Sequence, residues 1–256
     1  FIGIDIGSTC AKTVVMNENK EIVLEFVQPT GWSSVDTAEE IRKKLVENDA
    51  DPAENVCVAT GYGRVSVPYA DKMITEITCH AMGAVWIFDN KDMTIIDIGG
   101  QDSKVIRLDE NGAVANFVMN DKCAAGTGRF LEMMARTMEM DLDQMSEAGL
   151  TYKEDITISS MCTVFAESEV VSLIAQNKET DDIVHGLNKA VASKTAALAK
   201  RVGGEERYMM TGGVSKNKGL VKTLEEELGT TLVISDKAQL CGALGAALFA
   251  MDMVQK

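Results

Sequence analysis

Two short segments of the 256-residue chain share a pattern suited to binding a phosphate group. Residues 5–12 read Asp-Ile-Gly-Ser-Thr-Cys-Ala-Lys and residues 97–104 read Asp-Ile-Gly-Gly-Gln-Asp-Ser-Lys, so both follow the frame D-I-G-x-x-x-x-K. Each lies between two apolar stretches with strand character. Small residues at the turn let backbone N–H groups close on an anion, because no Cβ blocks the approach. The repeat predicts two phosphate loops on related β-hairpins, and therefore two related α/β halves.

The aspartate that opens each phosphate loop is the candidate metal-binding group. Asp5 and Asp97 suit Mg2+, which usually keeps several waters and binds few protein carboxylates directly. We expect Gln101 to orient an attacking water, or Asp102 to act if a base is required. The alternative is a pair of ordinary hairpins whose aspartates cap turns. The other predicted phosphate-binding residues are Gly7, Ser8, Thr9, Lys12, Gly99, Gly100, Ser103 and Lys104.

A third segment ends a predicted strand immediately before a helix. It reads Thr211-Gly212-Gly213, and its backbone could approach the face of an adenine ring and its ribose. The three segments together predict a site for a nucleoside triphosphate and its metal.

Two cysteines precede predicted helices. Cys123 comes shortly before a helix expected from Arg129, and Cys162 comes directly before one expected from Thr163. The partial positive charge of a helix N-terminus favours a thiolate and a negatively charged cluster, so both positions suit metal ligation. Iron–sulfur clusters generally take four cysteines. A symmetric dimer would double two ligands to four.

The remaining cysteines have simpler interpretations. An isolated cysteine is commonly a core residue, which is our expectation for Cys57 and Cys79. Cys10 lies within the first phosphate loop, and the need for a small side chain there is enough to explain it. Cys241 also begins a predicted helix and is the second choice as a metal ligand.

The order of these motifs resembles the actin-like ATPase superfamily, which includes sugar kinases and chaperone ATPase domains. The resemblance implies an α/β fold of duplicated ribonuclease-H-like domains with ATP or ADP in an interdomain nucleotide cleft. It also places Gly126, Gly128 and Gly242 in the connecting segments beside the nucleotide.

Longer segments look like the family of ATP-dependent activators of 2-hydroxyacyl-CoA dehydratases, to which the ATPase subunits of benzoyl-CoA reductase also belong. These segments are residues 97–104, Cys-Ala-Ala-Gly-Thr-Gly-Arg-Phe-Leu-Glu at 123–132, Val-Phe-Ala-Glu-Ser-Glu-Val at 164–170, and Thr-Gly-Gly-Val at 211–214. The family implies a homodimer that bridges one [4Fe-4S] cluster through Cys123 and Cys162 of each subunit. It also implies transfer of one low-potential electron to a 2-hydroxyacyl-CoA dehydratase, coupled to ATP hydrolysis. The sequence does not identify the electron donor, for which a ferredoxin or a flavodoxin is an example.

Two other functions stay open at the level of sequence. A small-molecule (sugar) kinase of the same superfamily would use Asp102 to deprotonate a substrate hydroxyl. A nucleotide-switched binding module would need ATP but no iron.

The composition of the chain indicates which classes of binding partner to expect. The chain has 25 Lys and Arg against 39 Asp and Glu, a net charge of −14, which opposes binding to nucleic acid and to anionic membranes. Its longest uncharged stretch, Ala238–Met251, is shorter than the roughly 20 residues that span a bilayer. The N-terminus lacks a cationic leader and no cysteines form a CxxC pair, so we expect a cytoplasmic protein with reduced thiols.

Periodicity and turn residues predict alternating strands and helices. We expect a first domain in residues 1–89, completed by a C-terminal helix in 240–256, and a second in 90–239 that carries the helical cluster-binding segments. Predicted strands are 2–6, 13–16, 22–28, 55–60, 93–98, 103–108, 113–119, 208–211 and 231–235. Predicted helices are 35–47, 73–88, 129–140, 163–176, 181–202, 218–228 and 241–253.

Overall fold

The structure is a computed structural model that describes residues 1–159, 162–203 and 207–254. Its strands are β1 Ile2–Ile6, β2 Cys10–Met16, β3 Ile22–Pro29, β4 Cys57–Thr60, β5 Lys72–Met73, β6 Thr94–Ile98, β7 Ser103–Leu108, β8 Val114–Asn120, β9 Tyr208–Thr211 and β10 Val233–Ile234. Its α-helices are α1 Ser34–Glu47, α2 Glu76–Phe88, α3 Gly128–Thr137, α4 Leu142–Ala148, α5 Thr163–Ala175, α6 Thr180–Val202, α7 Lys218–Leu228 and α8 Cys241–Val254.

The chain divides into two compact units. Unit 1 comprises Phe1–Asp92, Leu108–Val114 and the chain from Ser235 onward. Unit 2 comprises Met93–Arg107 and Ala115–Ile234. None of the helices in the described ranges is long and apolar enough to cross a membrane.

The two five-stranded sheets have the same topology. Their strand orders are β3-β2-β1-β4-β5 and β8-β7-β6-β9-β10, which match position by position. In each sheet the first strand pairs antiparallel with the second and parallel with the fourth. The duplication expected from the repeated D-I-G-x-x-x-x-K frame is therefore confirmed.

The first strand of each sheet is a central, completely buried strand. Every residue of β1 and β6 is buried, including the aspartate near its carboxyl end. Strands that are covered on both faces read as continuous apolar runs. An aspartate in such a run must find polar partners or a ligand, because an unpaired buried charge is costly.

Helix contacts in unit 1 depend on small residues. The Cβ that Gly83 of α2 lacks would collide with the carbonyl oxygen of Cys241 in α8. Likewise, a Cβ on Gly245 of α8 would collide with the carbonyl oxygen of Cys79 in α2. The two backbones therefore approach each other more closely than larger residues would permit.

Three predicted elements differ from the structure. The helix predicted over 73–88 begins only at Glu76, because Met73 pairs with β4 as part of the short strand β5. The helix predicted over 129–140 ends at Thr137, and Glu139 takes a left-handed φ of 55°. A capping box of Asp141 and Gln144 then begins α4, which the prediction missed. The strand predicted over 231–235 is shorter in the structure, where β10 comprises only Val233–Ile234.

Candidate functional site

The second phosphate loop is a tight turn that carries a buried network of charges. Gly99 N donates to Asp102 O at 2.9 Å and closes the turn. Lys104 Nζ donates to Asp97 Oδ2 at 2.9 Å and to Asp102 Oδ1 at 3.1 Å. Thr211 Oγ1, at the end of β9, donates to Asp97 Oδ1 at 2.8 Å. Both oxygens of Asp97 thus have partners within unit 2.

The first phosphate loop has the same turn but a simpler network. Gly7 N donates to Cys10 O at 3.1 Å, and Lys12 Nζ donates to Asp5 Oδ2 at 3.2 Å. Cys10 occupies the position equivalent to Asp102, so this loop has one carboxylate fewer. Asp5 Oδ1 is buried and has no hydrogen-bond partner among the described residues. One carboxylate oxygen of this loop is therefore available to a ligand.

The fourth strand of each sheet ends in a threonine, and a glycine follows it. Gly212 has a φ of 85°, and a Cβ there would collide with Ile98 O. Gly61 has a φ of 84°, and a Cβ there would collide with Asp5 Oδ1. Thr60-Gly61 is thus the unit 1 counterpart of the Thr-Gly pair that was predicted as an adenosine motif. The Thr-Gly pair at 60–61 was not predicted as part of the site, although the repeat of Thr-Gly is visible in the sequence.

The first turn of α3 is hydrogen-bonded to the second phosphate loop. Gly128 N donates to Gly99 O at 2.9 Å, and Arg129 N donates to Gly100 O at 2.7 Å. A Cβ on Gly128 would lie only 3.1 Å from Gly99 O, which explains the glycine at this helix start. The predicted connecting segment and the phosphate loop are therefore brought together in unit 2.

The start of α8 lies against Asp5 in unit 1. A Cβ on Gly242 would lie 2.9 Å from Asp5 Oδ2 and 3.1 Å from His80 Cε1. Sequence analysis singled out the glycine but not His80, whose Nδ1 lies 3.2 Å from Glu76 O. The carboxylate, the imidazole and the glycine backbone therefore form one buried cluster within unit 1.

The other predicted nucleotide-binding residues lie on or beside the same turns. Ser8 and Thr9 are half-buried, and Thr9 O accepts a hydrogen bond from Thr30 N at 3.0 Å. Gln101 is exposed, whereas the Ser103 side chain is buried. Gly213 begins a short 3-10 turn after β9, and Gly126 lies in the segment before α3 with a φ of 86°.

Unit 1 fits a magnesium ion better than unit 2 does. Mg2+ prefers oxygen ligands and few protein carboxylates. Asp5 offers a buried oxygen that has no hydrogen-bond partner in the described part of the chain, and glycine backbone borders it, whereas Asp97 is engaged by Lys104 and Thr211. The arrangement favours Asp5 as the carboxylate that faces the metal and its waters.

The six cysteines separate by exposure. Cys123 and Cys162 are exposed, Cys10 is half-buried, and Cys57, Cys79 and Cys241 are completely buried. Burial raises the pKa of Cys57 and of Cys79 to about 12, so both stay protonated thiols at neutral pH. Thiolates are the sulfur ligands of iron–sulfur clusters. The two exposed thiols therefore fit the donor set of a cluster and the buried ones do not.

The predicted helix starts need one correction. Cys162 is the N-cap residue of α5, as expected, although Ser160 and Met161 before it lie outside the described residues. Cys123 precedes α3, as expected, but it lies in the preceding loop and not at the helix terminus itself, because the N-cap of α3 is Thr127. Cys241 does begin α8, but its buried Sγ donates to His80 O at 3.4 Å.

Side chains from two elements hold the loop around Cys123. Asn120 Nδ2 donates to Cys123 O at 2.8 Å and to Ala125 O at 3.2 Å. Lys194 Nζ of α6 donates to Ala125 O at 2.6 Å, and its side chain covers Gly126. The loop is thereby fixed between the end of β8 and α6, directly before the helix turn that contacts the second phosphate loop.

The chain is similar to known proteins over nearly its whole length. The model of the BadF/BadG/BcrA/BcrD ATPase family matches residues 2–250. The (R)-2-hydroxyglutaryl-CoA dehydratase activating ATPase of Acidaminococcus fermentans is 46% identical, covering 100% of this chain and 98% of its own. The crystal structure of component A of that organism's dehydratase matches with a TM-score of 0.93 at 45% identity, covering 100% and 98% of the two chains.

A second activator has been solved with a nucleotide. The activator of the 2-hydroxyisocaproyl-CoA dehydratase from Clostridium difficile, with bound ADPNP, matches with a TM-score of 0.91 at 41% identity, covering 99% of this chain and 95% of that one. A ROK family glucokinase from Streptomyces griseus matches with a TM-score of 0.62 at 13% identity, covering 98% and 99%. The glucokinase is similar in fold alone, which agrees with the predicted actin-like ATPase fold.

Proposed function

The chain belongs to the BadF/BadG/BcrA/BcrD ATPase family, and we propose that it is an ATP-dependent activator of a 2-hydroxyacyl-CoA dehydratase. One observation carries the proposal. The α3 turn that follows the Cys123 loop donates two backbone hydrogen bonds to the second phosphate loop. A nucleotide-binding element and an exposed thiol segment are thus directly joined, as an activator that couples ATP to electron transfer requires.

The chain would bind ATP with Mg2+ and release ADP. Asp5 would face the metal and its waters, because its buried Oδ1 has no partner among the described residues. Lys104 would keep Asp97 and Asp102 fixed beside the second phosphate loop. Gln101 is exposed on that loop, where its amide could orient the water that attacks the terminal phosphate.

Two copies of the chain would share one [4Fe-4S] cluster through Cys123 and Cys162 of each. The cluster would supply one electron, which the dehydratase accepts and a ferredoxin or flavodoxin replaces. Both thiols are exposed, so oxygen should reach the cluster readily. The homodimer, the oxygen sensitivity and a cytoplasmic location are parts of this proposal.

The kinase alternative has less support. A kinase base must be presented to a substrate hydroxyl, but Asp102 is 5% exposed and its Oδ1 accepts a hydrogen bond from Lys104 at 3.1 Å. A nucleotide-switched module without iron would leave two exposed cysteines without a role.

Reconstitution with a purified dehydratase tests the proposal. Anaerobically prepared protein, reduced with dithionite, should activate the dehydratase with MgATP but not with MgADP. Asp5→Asn should reduce activation together with MgATP turnover. Activation that is independent of ATP, or ATP-dependent phosphorylation of a sugar in its place, would contradict the proposal.

A further inference from the structure

Glu169 of α5 is hydrogen-bonded to the chain that leads into Cys162. Ser159 N donates to Glu169 Oε1 at 3.0 Å and to Oε2 at 3.1 Å, and Ser159 Oγ donates to Oε2 at 3.1 Å. Ser159 precedes Cys162 by three residues, and Glu169 follows it by seven. One carboxylate therefore ties the segment before the cysteine to the helix that begins at the cysteine.

Glu169 is placed to restrain the chain at the start of α5. Seven residues are about two turns of an α-helix, so positions 162 and 169 lie on the same face of α5. Hydrogen bonds to a carboxylate are roughly twice as strong as those between neutral groups. The charged contact thus restrains the chain on one side of Cys162, while α5 restrains it on the other.

Packing holds the first turn of α5 but not the side chain of this cysteine. Thr163 and Ala166 are buried, whereas Cys162, Val164 and Phe165 are exposed. Upstream, Ile158 is buried in the core of unit 2. The hydrogen bonds of Ser159 to Glu169 join this anchored segment to α5.

We propose that Glu169 is a positioning residue that holds the Cys162 thiol in place to ligate the cluster. The proposal rests on the proposed function, because Cys162 is a ligand only if the cluster is present. Groups that orient a metal ligand without touching the metal typically contribute about 10–100-fold to metal affinity. Glu169 acts in this way through Ser159, and its loss should loosen the cluster without affecting the phosphate loops.

Glu167 provides a matched control on the same helix. It carries the same charge two residues earlier, but its Oε1 accepts a hydrogen bond from Thr137 Oγ1 of α3 at 3.2 Å. Removing Glu167 changes the charge near Cys162 without releasing Ser159. A comparison of the two variants therefore separates the positioning effect from the effect of charge.

The experiment measures how firmly anaerobically prepared protein holds iron. Wild type, Glu169→Ala, Glu169→Gln and Glu167→Ala are exposed to a ferrous chelator, and iron release is followed with the EPR spectrum of the reduced cluster. Glu169→Ala should release iron at least about tenfold faster and show an altered spectrum. Glu169→Gln should fall between it and wild type, because its amide oxygen can still accept from Ser159. Glu167→Ala should resemble wild type.

Two further measurements separate a loosened cluster from a general loss of folding or of nucleotide binding. ADPNP affinity and melting temperature should stay close to wild type in all variants. Equal release rates for wild type and Glu169→Ala, or equal acceleration by Glu167→Ala, would overturn the inference alone. Iron-free wild type that still binds ADPNP would overturn the proposed function and this inference with it.

Discussion

Lys104 Nζ lies 2.9 Å from Asp97 Oδ2, and both side chains are almost completely buried. The equivalent pair in the first phosphate loop, Lys12 and Asp5, is 3.2 Å apart, and its lysine side chain is 18% exposed. The duplicated frame has therefore diverged. In unit 2 the lysine holds two carboxylates in place, whereas in unit 1 one oxygen of the single carboxylate is left to a ligand.

The buried lysine should contribute more to stability than its counterpart. Lys104→Met would leave Asp97 and Asp102 buried without their cation, and removing one partner of a buried pair typically costs about 3–5 kcal/mol. Lys12→Met should cost less, because the lysine side chain that it removes is partly exposed to solvent. Urea unfolding of both variants compares the free energies of unfolding, and equal losses would contradict this asymmetry.

Gly212 should be essential to the site for a steric reason. Gly212→Ala places a methyl group against Ile98 O at a φ of 85°, so the turn after β9 must shift. We expect clear loss of both ATP affinity and stability. Gly229→Ala is the control, because its φ of 69° imposes strain of about 1–2 kcal/mol while its surroundings are open. Similar ATP affinities in the two variants would count against the role of this turn.

Gln101 should act in hydrolysis more than in binding. Gln101→Ala removes an exposed amide from the second phosphate loop and leaves the buried network intact. The turnover of ATP should fall by on the order of 10²-fold, because misplacing a reacting group by about 1 Å can cost that much. ADPNP affinity measured by calorimetry should change little. An unchanged turnover would assign the water-orienting role to another residue.

Much of the fold could be predicted because its signals are local. The Asp-Ile-Gly frame, flanked by apolar strands, revealed both hairpins and the duplication. The break at Glu139 was missed because Met138 and Met140 continue the apolar pattern through it. Met73 was assigned to the wrong element because its strand pairing with β4 is a tertiary contact.

The site was predictable in part for the same reason. Turn glycines are recognisable in the sequence, and Cys123 and Cys162 were singled out because each precedes a predicted helix. The engagement of Asp102 by Lys104 depends on β6 and β7 pairing in register, and the contact between Ser159 and Glu169 depends on a loop folding back on a helix. No periodicity reports such contacts, so the partners of each site residue emerged only from the structure.

Unit 2 should lose stability in mild acid through His185. The imidazole is buried and stacks on Tyr152 with ring centroids 3.5 Å apart. Burial lowers the pKa of His185 from its ordinary value of 6.5, and the nearby carboxylate of Asp155 opposes that shift. Below pH 6.5 the unfolded chain therefore takes up a proton that the folded protein does not. Other charged groups that act on this imidazole are Lys189, Glu226 and Asp182.

Because of this difference in proton uptake, His185 lowers the stability of the folded protein in acid. The stability gained from the neutral imidazole is complete above pH 6.5 and is lost as the pH falls through the folded-state pKa. Urea unfolding on both sides of pH 6.5 should show a smaller acid loss in His185→Gln than in wild type. The same pH dependence in both proteins would show that another group is responsible.

The cluster assignment is tested most directly by the iron and sulfide content of anaerobically prepared protein. Wild type should hold about two irons and two sulfides per chain, since one four-iron cluster would be shared by two copies. Cys123→Ser and Cys162→Ser should lose the cluster and still bind ADPNP, whereas Cys57→Ser, at a completely buried site, should retain it. Folded wild type that binds ADPNP but contains no iron would contradict the proposed cluster. A full cluster in Cys123→Ser or in Cys162→Ser would contradict the assignment of that cysteine as a ligand.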